Sequence, residues 1–449
     1  MLSEERGVRL LRAGVSEDIV RAGGFSVRVV QLSVEAAVDV ISAFFSRIPL
    51  LGRQQRTREV PVATTREVSL NERRGRERDG ILRRNRRKPM TVSNFCLSIL
   101  CVLVMGMGGL NAFGNGGESP VGNVKFPTPK NLDEWKSRRA KVRRRLWQLL
   151  GDLPPRPATP RVRVLWRKPK EGFVLEKFEF DNEAGATVLG YLCVPDGLKA
   201  PAPAILYCHY HGGEYDNGKE EILKAWPTKT PPAVELTRRG YVVMAIDAYC
   251  FGERRGKGPA GKKETGGAEE LSMSKLNLWH GRTLWGMMLR DDLMALDYLC
   301  SRTEVDNKRI GVTGMSMGST RSWWLAALDE RISVAVCVAC LTRYQDLIAA
   351  GKLRQHGIYY FVPGVLKHFD TEAVVSLIAP RPLLTQTGDR DGGSPISGVK
   401  TINSFAASIY HIYGKDESFR GVVYPGVGHQ YTARMWRETL AWLDRWLKP

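Results

Sequence analysis

The sequence predicts an α/β fold: a mostly parallel eight-stranded sheet with helices on both faces and lid insertions. Three observations predict it. From residue 161 onward, short apolar runs alternate with amphipathic helical patterns. One run, Arg309 to Thr313, stops at Gly314-Met-Ser316-Met-Gly318 and passes directly into a helical pattern. The last two runs each end in a turn that carries an ionisable residue, Asp391 after one and His429 after the other.

Strands are expected at 173–180, 187–194, 204–210, 241–247, 309–313, 333–339, 382–387 and 421–424, each an apolar, β-branched-rich run between turn residues. Helical periodicity covers 132–150, with Trp135 and Trp147 available to pack, and about 432–447 at the end of the chain. Two insertions interrupt the later alternation. One, 249–281, is rich in glycine and lysine; the other, 341–379, carries Tyr359, Tyr360 and Phe361. Neither has a periodic core of its own, so both read as loops or lids whose aromatics either stack on a sugar or cover the core. The expected domains are 161–449 for the main α/β unit and 118–160 for a helical segment packed on it.

The segment before residue 118 differs in composition. Basic residues in 1–89 are nearly all arginine, and runs such as Asn71-Glu-Arg-Arg-Gly-Arg-Glu-Arg-Asp-Gly80 cannot bury a core, so disorder is expected. Three readings of this segment stay open: a solvated tail, a basic arm for anionic partners, and translation of sequence upstream of the true start. Next, within 90–117, the apolar run Phe95-Cys-Leu-Ser-Ile-Leu-Cys-Val-Leu-Val-Met105 sits between a polybasic stretch and small residues. That is the layout of a signal peptide, with an uncleaved membrane anchor over 95–110 as second choice, and it leads to an expectation of export.

Glycine on both sides of Ser316 lets the backbone make a tight strand-to-helix turn, which lifts the hydroxyl clear of the sheet at the positive end of a helix. A serine hydroxyl is a weak nucleophile near neutral pH and needs a base with an orienting carboxylate, found later in the chain in the order Ser, Asp, His. Asp391 lies three residues past Gly388, deep enough in its loop to reach an imidazole, whereas Asp389 is placed to cap the turn. His429 follows the final strand on a glycine-bearing loop. The remaining requirement is a pair of N–H donors for a developing oxyanion. Met317 N–H supplies one, and Gly213, in the His211-Gly-Gly213 turn after the third strand, is the candidate for the second. His211, Glu214 and His356 are further candidate pocket residues.

With these motifs the chain resembles the α/β-hydrolase superfamily, within it the dienelactone hydrolase and acetyl xylan esterase-like group. Asp247-Ala-Tyr-Cys-Phe-Gly252-Glu253-Arg254 is similar to the segment that follows that group's fourth strand. Residues 283–299 resemble its next helix, and Ala379-Pro-Arg-Pro-Leu-Leu384 its approach to the acid. The resemblance spans about 132–449 and implies a serine esterase that passes through an acyl-enzyme. Acylated carbohydrate is the implied substrate, with Ser316 standing where dienelactone hydrolase has cysteine. A peptidase of the same fold and an idle binding protein are the alternatives.

No cofactor is expected: neither a P-loop lysine motif nor G-x-G-x-x-G occurs. His209 and His211 share one strand face but lack a third and fourth ligand at metal spacing, so no metal is expected. The formal net charge of +20 is concentrated before residue 90 and on the 132–150 helix, where a solvated face accounts for it without nucleic acid. Cys193, Cys208, Cys250, Cys300, Cys337 and Cys340 fall in or near strands and read as buried thiols.

Overall fold

The structure is a computed structural model that describes residues 15–22, 25–32 and 124–448. The chain divides into two units, Met1–Val104 and Met105–Pro449. In the first, β1 (Val15–Ala22) pairs antiparallel with β2 (Phe25–Leu32). Their valines, isoleucine and phenylalanine are residues of high β-propensity; the rest of 1–89 lies outside the described residues. The apolar run at 95–110 lies outside the described residues, and no described helix is long and apolar enough to cross a membrane.

The second unit is built on a nine-stranded sheet, one strand more than expected. The additional strand is β3 (Val162–Lys170), where Arg163, Arg167, Lys168, Pro169 and Lys170 hide the alternation. Among the described residues it pairs only with β4 (Phe173–Asp181), and an edge position tolerates both proline and exposed cations. Then come β5 (Thr187–Pro195), β6 (Ala202–Cys208), β7 (Val242–Ile246), β8 (Val305–Met315), β9 (Ile332–Val338), β10 (Leu383–Gly388) and β11 (Phe419–Tyr424). The spatial order is β11-β10-β9-β8-β6-β7-β5-β4-β3, parallel from β11 to β7 and antiparallel beyond. The chain moves from β6 to β7 on one side and returns as β8 on the other. The loops leaving β6 and β8 therefore diverge and open a crevice at the carboxyl edge.

Strand alternation sends Ala204, Leu206 and Cys208 of β6 into one apolar cluster and Ile205 and Tyr207 into another, so both faces are buried. Helix α1 (Leu132–Leu150) is capped by the Asn131 side chain on Glu134 N–H and buries Trp135, Val142, Leu146 and Leu150. Its outer face carries the arginine cluster, of which Arg139 and Arg143 pair with Glu330 at 2.9 and 2.8 Å. Helix α2 (Pro232–Arg238) lies on the second face of the sheet.

The insertions are more structured than their aperiodic sequences suggested. The first contains α3 (Gly267–Trp279), whose buried Glu269 accepts the N–H groups of Gly256, Lys257 and Gly258 at 2.7, 3.0 and 2.9 Å. In the second, α6 (Tyr344–Ala349) and α7 (Thr371–Val375) are joined by the buried carboxylate of Asp370, which accepts from Tyr344, Gln345 and Thr371 N–H. Tyr359 and Tyr360 are 4% and 3% exposed, so they cover the core, and only Phe361 remains open to solvent.

Between these insertions α4 (Leu284–Ser301) starts from a Thr283 cap, and α5 (Met317–Leu328) follows the serine turn. Arg321 of α5 and Asp292 of α4 form a pair in which neither side chain is more than 1% exposed, with Nε donating to Oδ2 at 2.9 Å. Two further helices, α8 (Ile396–Ile412) and α9 (Ala433–Leu447), complete the layers, and the Thr432 hydroxyl caps α9. Asp292→Ala would leave a buried guanidinium uncompensated; the expected loss is about 3–5 kcal/mol of stability, read from the urea midpoint.

Candidate active site

Ser316 sits between β8 and α5 at φ 58° and ψ −119°, a left-handed conformation that a serine adopts only under constraint. The constraint comes from β6. A Cβ added at Gly314 would lie 2.2 Å from the Cys208 carbonyl oxygen, and one at Gly318 would lie 2.0 Å from the same atom. Backbone from the neighbouring strand therefore occupies the space on both sides of the turn, and Ser316 N–H is fixed on Val338 O at 2.9 Å.

The hydroxyl meets His429 Nε2 at 2.8 Å, and His429 Nδ1 meets Asp391 Oδ2 at 2.8 Å. Asp391 is fully buried, with its second oxygen accepting Gly393 N–H at 2.9 Å, while the imidazole is 40% exposed and faces the crevice. Asp389 accepts Gly426 N–H at 2.7 Å and so ties the β10 loop to the β11 loop.

The loop after β6 corrects one expectation. Gly213 N–H donates to His211 Nδ1 at 3.0 Å, so it is committed within its own turn and is not free for a substrate oxygen. Tyr210 N–H is also engaged, on Glu221 Oε2 at 2.8 Å. Among the described residues, the N–H groups of His211 and Met317 make no hydrogen bond. His211 Nε2 faces Glu270 Oε1 at 3.2 Å, and its ring stacks on Tyr359 at 5.1 Å. His209 is buried with Nε2 accepting Ala248 N–H at 3.1 Å and Nδ1 on Tyr210 O at 2.9 Å. Desolvation holds its pKa well below the ordinary value, and neither imidazole offers a lone pair to a metal. Glu214 is exposed in the following turn. His356 lies beside the acid loop, its Nε2 on Gly393 O at 2.8 Å.

Two features carry no signal in the local sequence. Cys340 Sγ lies 3.7 Å from Ser316 Oγ, brought there because β9 runs parallel beside β8 and ends at the same edge. Burial pushes its thiol up to about 12, so it faces the serine as a neutral group. Next to His429 is a cavity of about 370 Å³ lined by Tyr210, Gly212, Trp226, Met315 and Tyr431. Trp226 stacks on Tyr210 at 5.2 Å and meets Tyr431 edge-on at 5.5 Å, giving this cavity an aromatic wall drawn from three separate loops.

A nine-stranded, mostly parallel sheet with a serine on the strand-to-helix turn and a histidine beyond the last strand defines an α/β-hydrolase. The chain belongs to the Abhydrolase family, whose model matches residues 123–406. It is similar to "Putative hydrolase YtaP" of Bacillus subtilis (strain 168), at 40% identity over 311 residues that cover 69% of this chain and all of YtaP. Solved structures share the fold. A glucuronoyl esterase from Solibacter usitatus aligns at TM-score 0.56 and 15% identity, covering 74% of this chain and 100% of that one. A "putative acetyl xylan esterase" from Bacteroides fragilis NCTC 9343 aligns at TM-score 0.53 and 19% identity, covering 76% and 84%.

Glu221 makes the loop after β6 pH-sensitive. Tyr207 O–H and Tyr210 N–H both donate to it and favour the carboxylate, but burial outweighs them and raises its pKa to about 8. The folded state therefore holds a proton that the unfolded chain releases above its ordinary value of 4.5. Stability is expected to fall as pH rises from about 4.5 to 8 and then level off. Glu221→Gln should flatten that slope in urea midpoints measured across the interval.

Proposed function

We propose that this protein is a serine hydrolase that cleaves carboxylic esters through an acyl-enzyme, with acylated carbohydrate as its substrate class. The observation that carries the reading is the unbroken hydrogen-bonded chain from Ser316 through His429 to Asp391 at the crevice.

In this reading Ser316 Oγ attacks the ester carbonyl while His429 Nε2 accepts its proton, and Asp391 fixes the tautomer and offsets the imidazolium charge. The tetrahedral oxyanion is held by Met317 N–H at the start of α5 and by His211 N–H on the loop after β6. His429 then returns the proton to the departing alcohol, and water attacks the acyl-enzyme with the same base assisting. Every proton is carried by His429, so no cofactor is required. The neutral Cys340 thiol and the buried Tyr359 fill space near the serine, which favours a short acyl group, and the cavity with the aromatic wall is open to the alcohol portion. The name of the similar acetyl xylan esterase supports a carbohydrate alcohol, as does the stacking face that Trp226 and Tyr210 provide. Export remains part of the proposal on the strength of the order in which the basic run at 83–88, the apolar run at 95–105 and the small residues at 106–117 follow one another.

The test is hydrolysis of p-nitrophenyl acetate and longer acyl esters, with fluorophosphonate labelling in parallel. Ser316→Ala is expected to abolish turnover and labelling. Asp391→Asn should lower kcat by about 10³–10⁴ with the fold retained, whereas Asp389→Asn should lose less than about tenfold because it acts through a turn. Well-folded wild-type protein that neither turns over esters nor takes the label would overturn the proposal.

A further inference from the structure

We propose that His356, from the second insertion, is a positioning residue that sets the orientation of Asp391 through Gly393. The inference rests on the Ser316, His429 and Asp391 roles above but adds a residue that takes no part in proton transfer.

The acid loop reads Asp391-Gly392-Gly393-Ser394, and two successive glycines give it little stiffness of its own. Something must hold it, because Asp391 orients His429 only if its carboxylate is fixed. The holding residue is Gly393, whose N–H donates to Asp391 Oδ1 at 2.9 Å. The carbonyl of the same residue accepts two hydrogen bonds, from His356 Nε2 at 2.8 Å and from the Thr342 hydroxyl at 2.8 Å. Both donors belong to the 341–379 insertion, one at each side of the loop. The His356 ring is clamped in turn, stacked on Tyr360 at 4.3 Å between ring centres and 13° between planes. Tyr360 is itself buried against Trp285 and Tyr344. A rigid aromatic stack thus reaches Asp391 through one residue: two donors fix the Gly393 carbonyl, which limits the φ and ψ freedom of that glycine and so holds the turn in which its N–H points at the carboxylate.

The ionisable groups around His356 are His429, Asp391, His211 and, at the neighbouring Gly392, Lys352. Burial holds the His356 pKa below its ordinary value and so favours the neutral ring. The sign of the effect is then diagnostic. A looser Asp391 stabilises the His429 imidazolium less, so the acid limb of kcat/KM moves to lower pH. Loss of a neighbouring cation would move it the other way.

The experiment compares wild type with His356→Phe, which keeps a ring against Tyr360 without the donor, with His356→Gln, which restores a donor, and with Thr342→Val, which removes the second donor. His356→Phe is expected to lower kcat by roughly 10–100-fold with KM within about twofold, and to move the acid limb to lower pH. His356→Gln should recover most of the loss, and Thr342→Val should shift the limb in the same direction. Titration of the His429 ring by NMR should show the same downward move without reference to ester turnover. A wild-type kcat with an unmoved limb, or a raised KM alone, would overturn the proposal. Should His356→Phe fail to fold, an unmoved His429 midpoint in Thr342→Val would overturn it equally. If the NMR midpoint moves while wild type hydrolyses no ester, the positioning role stands and the esterase reading fails.

Discussion

Much of the molecule is organised around one carbonyl oxygen. Cys208 O, at the end of β6, lies between the positions where Cβ atoms of Gly314 and Gly318 would stand. This contact brings β6, β8 and the start of α5 closer than any side chain permits, and it forces the intervening serine into a left-handed conformation. The same approach sets the end of β6 beside the first turn of α5. Strain at one residue is offset by a ladder of parallel strands on either side, whose two faces are fully covered.

Charge, more than apolar periodicity, organises what surrounds that centre. Asp247 accepts the Lys219 ammonium at 2.8 Å and the Lys219 N–H at 2.7 Å, while Lys219 also donates to Glu253 at 2.6 Å. Gly218 and Gly252 both pack against the Asp247 carboxylate, which explains glycine in each of those turns. Glu269 and Asp370 play the same part in the two insertions, each collecting several backbone N–H groups into one buried oxygen pair. Such carboxylates order irregular backbone without a hydrophobic stripe, because an N–H left unpaired in the interior costs about as much as a lost hydrogen bond.

That distinction explains what the sequence made legible. The strand-turn-helix around Ser316 and the helix at 132–150 each follow from local pattern; in the fold Asp391 lies against His429, and Asp389 holds Gly426 as a turn cap should. The ninth strand was masked by cations and a proline that only an edge tolerates. The helices of the insertions were masked because their order comes from single buried carboxylates, which have no periodic signature. The Gly213 expectation failed because an imidazole two residues earlier takes its N–H, a contact made by a turn and not by spacing. Cys340 needed the order of strands in space, which no local pattern gives.

The distance along the chain between Ser316 and His429 is 113 residues, and β11 and α9 must be in place on either side of the histidine loop before it can point inward. A nascent polypeptide leaving the ribosome therefore presents Ser316 before it presents the imidazole that meets the serine hydroxyl in the folded protein. A chain cut short before residue 429 carries Ser316 without the imidazole that its hydroxyl meets in the folded protein.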